Sequence, residues 1–125
     1  MTDRTVCSEV FVALSSLQVS VLANFYKGLV GTEPKVNVPS YAEFQLTGLR
    51  LAIFAPKEEN AAEFEGRSSG AMSLCVEVED LEQAIAHLID LGYPPSGKIM
   101  HTSHGQEIYA YDPDGNRLIL HQSSG

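Results

Sequence analysis

Residues 106–121 constrain the fold more than any other stretch, because two alternating runs flank a strong turn signal. The turn is Pro113-Asp114-Gly115-Asn116, in which proline pre-sets φ and glycine accepts a positive φ without a Cβ clash. Alternation predicts a β-hairpin with two different faces. The apolar face carries Ile108, Ala110, Leu118 and Leu120. The opposite face carries Glu107, Tyr109, Tyr111, Arg117, Ile119 and His121.

The same order of elements is predicted in each half of the chain. The first half contains a strand at 6–14, a helix at 19–29, a short strand at 35–38 and a hairpin of strands at 41–46 and 49–54. The second half contains a strand at 71–78, a helix at 81–91, a short strand near 98–100 and the hairpin above. Apolar residues recur at helical spacing in both helices, namely Val19, Leu22, Ala23, Tyr26 and Val30, and Leu81, Ala84, Ile85, Leu88 and Ile89. Asp80 is a predicted N-cap, and Gly31 and Gly92 are predicted helix stops.

The two halves also match in spacing. Phe11 precedes Gln18 by seven residues, as Ser73 precedes Asp80, and the segment 48–54 parallels 115–121. The repeat predicts an α+β fold of two tandem βαβββ modules. We expect a curved, cup-shaped, mostly antiparallel sheet with the helices on its outer face. The predicted organisation is one domain, 1–125, with module one at 5–56, a polar linker at 57–70 and module two at 71–122.

The composition of the chain argues against several classes of binding partner. A net charge of −8 with only eight basic residues argues against nucleic acid, whose binding depends on clustered Lys and Arg. We found neither a signal peptide pattern nor an apolar run long enough for a membrane span. Cys7 and Cys75 have no paired spacing and are predicted to be reduced thiols on strands. We therefore expect a cytoplasmic protein without a nucleic-acid or membrane partner.

The segment Tyr-x-Tyr-Asp-Pro-Asp-Gly-Asn-Arg-Leu-x-Leu at 109–120 resembles the last hairpin of the vicinal oxygen chelate superfamily. That superfamily includes glyoxalase I, bleomycin-resistance proteins and extradiol dioxygenases. The resemblance covers nearly the whole chain and implies the same cup-shaped architecture. Members of the family commonly form dimers, and unpaired strand edges give a physical motive for pairing, so we expect a homodimer.

Metal-dependent members carry a His or Glu near the middle of the first, fourth, fifth and eighth strands. The resemblance places these positions at Phe11, Ala52, Ser73 and Ile119, none of which is a usual metal ligand. We therefore predict no metal site and no cofactor. A site rebuilt from Glu9, Glu43, Glu107 and His121 is the weaker alternative, because these residues lie at strand ends or on different strands.

The predicted cup face is apolar and aromatic with a few polar groups, as ligand pockets usually are. The alternative is that these residues simply face solvent on a half-exposed sheet. The predicted ligand-binding residues are Phe11, Arg50, Phe54, Ser73, Glu107, Tyr109, Arg117, Ile119 and His121.

Three functions are compatible with the sequence. The first is a metal-free protein, similar to bleomycin-resistance proteins, that binds a small anionic or aromatic molecule. The second is an enzyme, a lyase, isomerase or dioxygenase, with a non-standard site using Glu107, His104, Tyr109 or His121. The third is an interaction module whose cup is filled by side chains and whose partner binds the acidic loop at 56–70. We favour the first.

Arg50 and Arg117 hold equivalent places in the two modules, two residues after the glycine of each hairpin. Alternation directs both toward the cup, where arginine can hold a carboxylate or phosphate through two parallel hydrogen bonds. The alternative is that each arginine pairs with an acid on the neighbouring strand, Arg50 with Glu43 and Arg117 with Glu107.

Overall fold

A computed structural model describes residues 7–66 and 70–124. The strands are β1 (Val12–Ser15), β2 (Val36–Val38), β3 (Tyr41–Leu46), β4 (Leu49–Phe54), β5 (Leu74–Glu77), β6 (Met100–Thr102), β7 (Gly105–Tyr111) and β8 (Arg117–Ser123). The helices are α1 (Val19–Val30), α2 (Leu81–Leu91) and a 3₁₀ helix (Glu58–Phe64) between the two halves. The element order confirms two consecutive βαβββ modules.

The described residues form two four-stranded sheets with the same topology. The strand orders are β1-β4-β3-β2 and β5-β8-β7-β6. In each sheet the first and last strands of the module pair in parallel, and the other pairs are antiparallel. The α+β fold class is therefore confirmed, and both sheets are open.

The two long helices form where their sequences place an apolar stripe between strong end signals. Asp80 accepts a hydrogen bond from the Gln83 backbone N–H at 3.1 Å, which confirms it as the N-cap of α2. Gly31 and Gly92 adopt left-handed φ values of 70° and 91° and end α1 and α2 as predicted.

The described residues share one hydrophobic core, which lies between the helices and the inner faces of both sheets. It includes Leu22, Tyr26 and Leu88 from the helices and the predicted inward residues of the last hairpin, Ile108, Ala110, Leu118 and Leu120. The rings of Phe25 and Tyr93 pack perpendicular to each other with centroids 5.4 Å apart, and this contact joins α1 to the turn after α2. The modules therefore pack through their helices.

Several predictions at the ends of elements are wrong. Strand β1 begins at Val12, so Cys7 and Val10 precede it, and Val10 is 82% exposed. Met72, which the predicted strand at 71–78 includes, precedes β5 and is 79% exposed, and Ile89, which the predicted apolar stripe of the second helix includes, is 56% exposed. Alternation could not show where β1 and β5 begin, because it gives the phase of a strand and not its length. Val6 lies outside the described residues.

The segment predicted as a polar linker contains a seven-residue 3₁₀ helix without buried side chains. The rings of its Phe64 and of Phe54 pack nearly perpendicular to each other, with centroids 5.2 Å apart. No helix in the described part of the chain has the length and apolar character needed to cross a membrane.

Candidate functional site

Each sheet has one face turned away from the helices, which we call its open face. Register places Arg50, Ala52 and Phe54 on the open face of module one, and Arg117, Ile119 and His121 at the equivalent places in module two. Phe11, Tyr109 and Tyr111 are more than one-third exposed, and Cys75 is exposed as well. The open faces are therefore accessible to small molecules.

Arg50 is neutralised on the open face of module one. Its Nε and Nη2 donate to both carboxylate oxygens of Glu9 at 3.1 and 2.9 Å, and its Nη1 lies 3.2 Å from Glu43. The guanidinium also lies 3.6 Å from the centroid of the Phe11 ring. The hydrogen bonds to Arg50 lower the pKa of Glu9, and the same bonds raise the pKa of Arg50. The predicted pair between Arg50 and Glu43 is thus confirmed, with Glu9 as a second acid.

Arg117 has different partners. Its Nε donates to Ser73 Oγ at 2.8 Å, and its Nη2 donates to the backbone carbonyl of Gly70. Among the described residues, no carboxylate lies within ion-pair distance of it, so the predicted pair with Glu107 is wrong. The physical reason is register. Arg117 pairs with Tyr111, whereas Glu107 lies opposite His121 at the other end of the ladder.

His121 is held by an acid on the neighbouring strand. Its Nδ1 lies 2.8 Å from Glu77 Oε1, and the other oxygen of Glu77 accepts from the backbone N–H and hydroxyl of Ser123 at 2.9 and 2.8 Å. The hydrogen bond with His121, followed by those from Ser123, lowers the pKa of Glu77. Glu77 was absent from our predicted site, although alternation from Ser73 and Cys75 places it on the open face.

The four positions that hold metal ligands in metal-dependent relatives do not fit a metal here. Phe11 lies under a guanidinium, Ser73 accepts from another guanidinium, and Ala52 and Ile119 carry no donor atom. In residues 7–66 and 70–124, no group of three or more His, Cys, Asp and Glu side chains is arranged to hold an ion.

The nine predicted ligand-binding residues fall into two sets. Phe11, Arg50 and Phe54 belong to module one, and Ser73, Glu107, Tyr109, Arg117, Ile119 and His121 belong to module two. Within the described residues, no hydrogen bond or ion pair joins the two sets. An open cleft of about 870 Å³ between the modules is lined instead by Ser15, Leu17, Gln18, Phe64, Met72 and Asp114, among others.

Comparison with known proteins agrees with the fold. The model of the Glyoxalase/Bleomycin resistance protein/Dioxygenase superfamily matches residues 12–120. No curated protein matches the chain.

Solved structures with the same fold share little sequence with this chain. A glyoxalase-related enzyme from Fulvimarina pelagi is 22% identical, with a TM-score of 0.75 over 94% of this chain and 89% of its own. A glyoxalase/bleomycin resistance protein/dioxygenase family enzyme from Burkholderia phytofirmans is 15% identical, with a TM-score of 0.77 over 90% and 96%. The fosfomycin resistance protein FosX from Mesorhizobium loti is 13% identical, with a TM-score of 0.72 over 96% and 95%. The family model covers most of the chain, and the chain therefore belongs to the Glyoxalase/Bleomycin resistance protein/Dioxygenase superfamily.

Proposed function

We propose that this protein binds a small molecule that carries both an anionic group and an aromatic ring, on the open face of module two. The anion lies on Arg117, and the ring lies along Tyr109, Tyr111 and Ile119. The protein does this without the metal ligands usual in its superfamily. The observation that carries the proposal is that, within residues 7–66 and 70–124, no carboxylate pairs with Arg117.

The repeat itself supports this assignment, because the two acids that neutralise Arg50 have no counterparts in module two. Glu9 lies two residues before Phe11, and the residue two before Ser73 is Ala71. Glu43 lies opposite Ala52 in the ladder, and the residue opposite Ile119 is Tyr109. Module two therefore keeps the arginine and replaces both carboxylates by an apolar and an aromatic side chain.

The partners that remain to Arg117 hold it without neutralising it. A hydroxyl and a backbone carbonyl fix the guanidinium in place but carry no charge. An arginine held in this way gives an incoming carboxylate or phosphate a charged hydrogen-bonding partner, and the side chain loses little further conformational freedom on binding.

Aromatic groups border the same arginine. Tyr111 lies directly opposite Arg117 in the ladder, and Tyr109 lies opposite Ile119. Tyr111 and Tyr109 are 39% and 41% exposed, so their side chains are available to stack on a planar ligand.

We further propose that the protein forms a homodimer in which the open face of one protomer is covered by its partner. Half-exposed apolar and aromatic residues on both open faces support this, since burying them in a partner contact is favourable.

A location in the cytoplasm fits the two unpaired thiols in the described residues.

Benzoate and its uncharged analogue benzamide test the binding proposal. We expect benzoate to bind more tightly than benzamide. Arg117→Ala should weaken benzoate binding by about 1.5–3 kcal/mol, which is the contribution of a hydrogen bond to a charged group. Titration by NMR measures both affinities. The melting temperature should barely change, because the arginine makes neutral contacts on an accessible face.

Arg50→Ala is the matched control, because it removes the same side chain from the equivalent position of module one. Benzoate affinity should stay as in the wild type. Equal affinities of the wild type for benzoate and benzamide would contradict the proposal. So would an Arg117→Ala variant that is less stable but binds benzoate as the wild type does, since Arg117 would then have only a structural role.

A further inference from the structure

The segment 7–11 precedes β1 and reaches the open face of module one through the side chains of Glu9 and Phe11. In the described part of the chain, no backbone hydrogen bond joins residues 7–11 to another element. The Glu9 side chain is 48% exposed, and Phe11 is 42% exposed. The segment therefore lies on the surface of module one and is not a paired part of its sheet.

Glu9 contacts Arg50 in the way that a bound carboxylate would. Its two oxygens accept from Nε and Nη2 of Arg50 at 3.1 and 2.9 Å, which is the forked geometry typical of arginine with carboxylates. The Phe11 ring lies against the same guanidinium, with 3.6 Å between the ring centroid and Cζ. A carboxylate and an aromatic ring thus meet on one arginine, and both belong to a segment outside the sheet.

Glu43, the second acid at Arg50, uses a different part of the guanidinium. Its Oε1 lies 3.2 Å from Nη1 and also accepts from the Tyr41 hydroxyl at 2.8 Å. Among the described residues, Glu9 is the acceptor for both Nε and Nη2. Removing the Glu9 side chain therefore frees two donors of Arg50 on an accessible face and leaves the contact with Glu43 in place.

The equivalent place in module two has no such internal carboxylate. Ser73 takes the place of Phe11, and Ala71 takes the place of Glu9. Arg117 makes no ion pair within residues 7–66 and 70–124. The two modules share the arginine but differ in whether the chain supplies its own acid, which indicates that the fold does not require Glu9.

We propose that module one contains a binding site for a small carboxylate, centred on Arg50 and closed by the protein's own Glu9. The Glu9 side chain occupies the place of a ligand's carboxylate, and an external carboxylate binds when the segment 7–11 leaves Arg50. The ligand class follows from the contacts of Arg50. The inference therefore goes beyond the function proposed for module two.

An internal carboxylate lowers the affinity of the site for an external one. The apparent affinity equals the intrinsic affinity multiplied by the fraction of molecules in which the site is free. A group on a short tether competes at an effective concentration of about millimolar, so a weakly bound ligand cannot displace it. Removal of Glu9 should cost the fold little, because ion pairs on an accessible surface add little to stability.

The test uses benzoate and a set of variants that all carry Arg117→Ala, which removes the site proposed in module two. Broadening of the benzoate NMR signals gives the affinity, and the shift of the Arg50 Nε–H signal shows where benzoate binds. We expect Glu9→Ala to lower the Kd for benzoate by at least about tenfold, as for a site that was free in at most about a tenth of the molecules. Benzamide, which has no charge, should not shift the Arg50 signal.

Glu59→Ala is the matched control, because it removes one negative charge from an exposed position on the 3₁₀ helix and leaves Arg50 and its partners unchanged. Its benzoate affinity should equal that of the protein that retains Glu9. Adding Arg50→Ala to Glu9→Ala should abolish the gain, since the donors that hold benzoate are then absent.

Unchanged benzoate affinity in folded Glu9→Ala would overturn the proposal, as would an equal gain in Glu59→Ala or in the variant that also lacks Arg50. If Glu9→Ala does not fold, Glu9→Gln decides, because the amide keeps the shape of the side chain and removes its charge. Since Arg117 is absent throughout, the result is independent of the wild-type benzoate titration. A gain at Arg50 without benzoate binding at Arg117 would overturn the proposed function alone, and the reverse result would overturn the present proposal alone.

Discussion

Two arginines at equivalent positions show that the two modules differ in the contacts of single residues. Arg50 lies among Glu9, Glu43 and the Phe11 ring, whereas Arg117 is held by Ser73 and a backbone carbonyl. The sequence predicted the positions of both arginines and the face on which they lie, because alternation fixes the face of a strand. It did not predict the partners of Arg117, since those depend on which residues lie opposite and on how the chain enters β5.

The partner of Glu107 could have been derived from the sequence with one further step. A five-residue connection at 112–116 that closes on the pair of Tyr111 and Arg117 places Glu107 opposite His121, four residues along the strand. Register therefore separates Glu107 from Arg117 by about 13 Å at the Cα atoms, which is too far for an ion pair. Alternation alone hides this, because residues 107 and 111 lie on the same face.

Gly105 is a residue that the fold requires and that the sequence pattern did not single out. It begins β7 with a φ of 150°, and a Cβ placed there would overlap the backbone carbonyl of Gln122 on β8. Gly105→Ala should lower the free energy of unfolding by about 1–3 kcal/mol or more, the usual cost of overpacking a site that cannot give way. Urea unfolding measures this change.

Gly97→Ala is the control for that substitution, because an added Cβ at Gly97 meets nothing within 4 Å and the residue is exposed. Its free energy of unfolding should differ from that of the wild type by no more than an ordinary surface substitution causes, about 0.5 kcal/mol in either direction. Similar midpoints for the two variants would contradict the close approach of β7 and β8 at Gly105.

At the scale of elements, α1 is tied to the turn between β7 and β8 by a buried hydrogen bond. The hydroxyl of Tyr26 donates to Asp112 Oδ2 at 2.6 Å. The same carboxylate accepts from the backbone N–H groups of Asp114 and Asn116 and from the Asn116 side chain. One buried aspartate thus shapes the hairpin turn of module two and binds the helix of module one.

Tyr26→Phe tests this link. The substitution removes one hydroxyl from a buried carboxylate that keeps its other partners, and it should cost about 1.5–3 kcal/mol, as expected for a hydrogen bond to a charged group. Chemical denaturation provides the measurement. A variant as stable as the wild type would mean that the turn alone satisfies Asp112.

The same bond predicts a dependence on alkaline pH. Burial, followed by the negative charge of Asp112, raises the pKa of Tyr26 well above its ordinary value. A group whose pKa is raised by folding contributes its stability fully below the unfolded pKa, which is about 10 for tyrosine, and loses it as the pH rises further. The wild type should therefore lose stability above about pH 10 more steeply than Tyr26→Phe. Parallel curves for the two proteins would contradict burial of the hydroxyl.

The sequence identified the two long helices and both hairpins with nearly correct bounds, because each has strong periodicity and a clear stop. The first strands of both modules were predicted too long, since β1 begins at Val12 and β5 at Leu74. Both strands lie at a sheet edge with one neighbour, so tertiary pairing decides where they begin. The contact between Tyr26 and Asp112 joins residues 86 positions apart and has no local signal.

At the scale of the whole molecule, the main question is how the two open faces meet. Within the described chain the modules pack through α1 and α2, and the half-sites of the superfamily's metal position lie on separate sheets. Phe11 and Ala52 belong to one sheet region, and Ser73 and Ile119 belong to the other. A second copy of the chain could bring module one of one protomer against module two of the other, and this arrangement is the one we expect for the homodimer.

Restoring metal ligands in separate chains tests that arrangement. One variant carries Phe11→His with Ala52→Glu, and the other carries Ser73→His with Ile119→Glu. If the open faces meet across the dimer, roughly half of the dimers in an equal mixture combine both variants, and each mixed dimer has one complete four-ligand site. The mixture should then bind Ni²⁺ more tightly than either variant alone, as measured by calorimetry, while light scattering reports a dimer in every sample.

The variant with all four substitutions in one chain is the control for position. It should bind Ni²⁺ whether the half-sites meet within a chain or between chains. If this variant folds but does not bind Ni²⁺, at least two of the four ligand positions are misassigned. Binding by this variant without any gain in the mixture would place both half-sites in one chain. A monomer in light scattering at micromolar concentration would contradict the homodimer itself. Each substitution alone should mainly destabilise, because it adds a polar group without a partner to a partly apolar face.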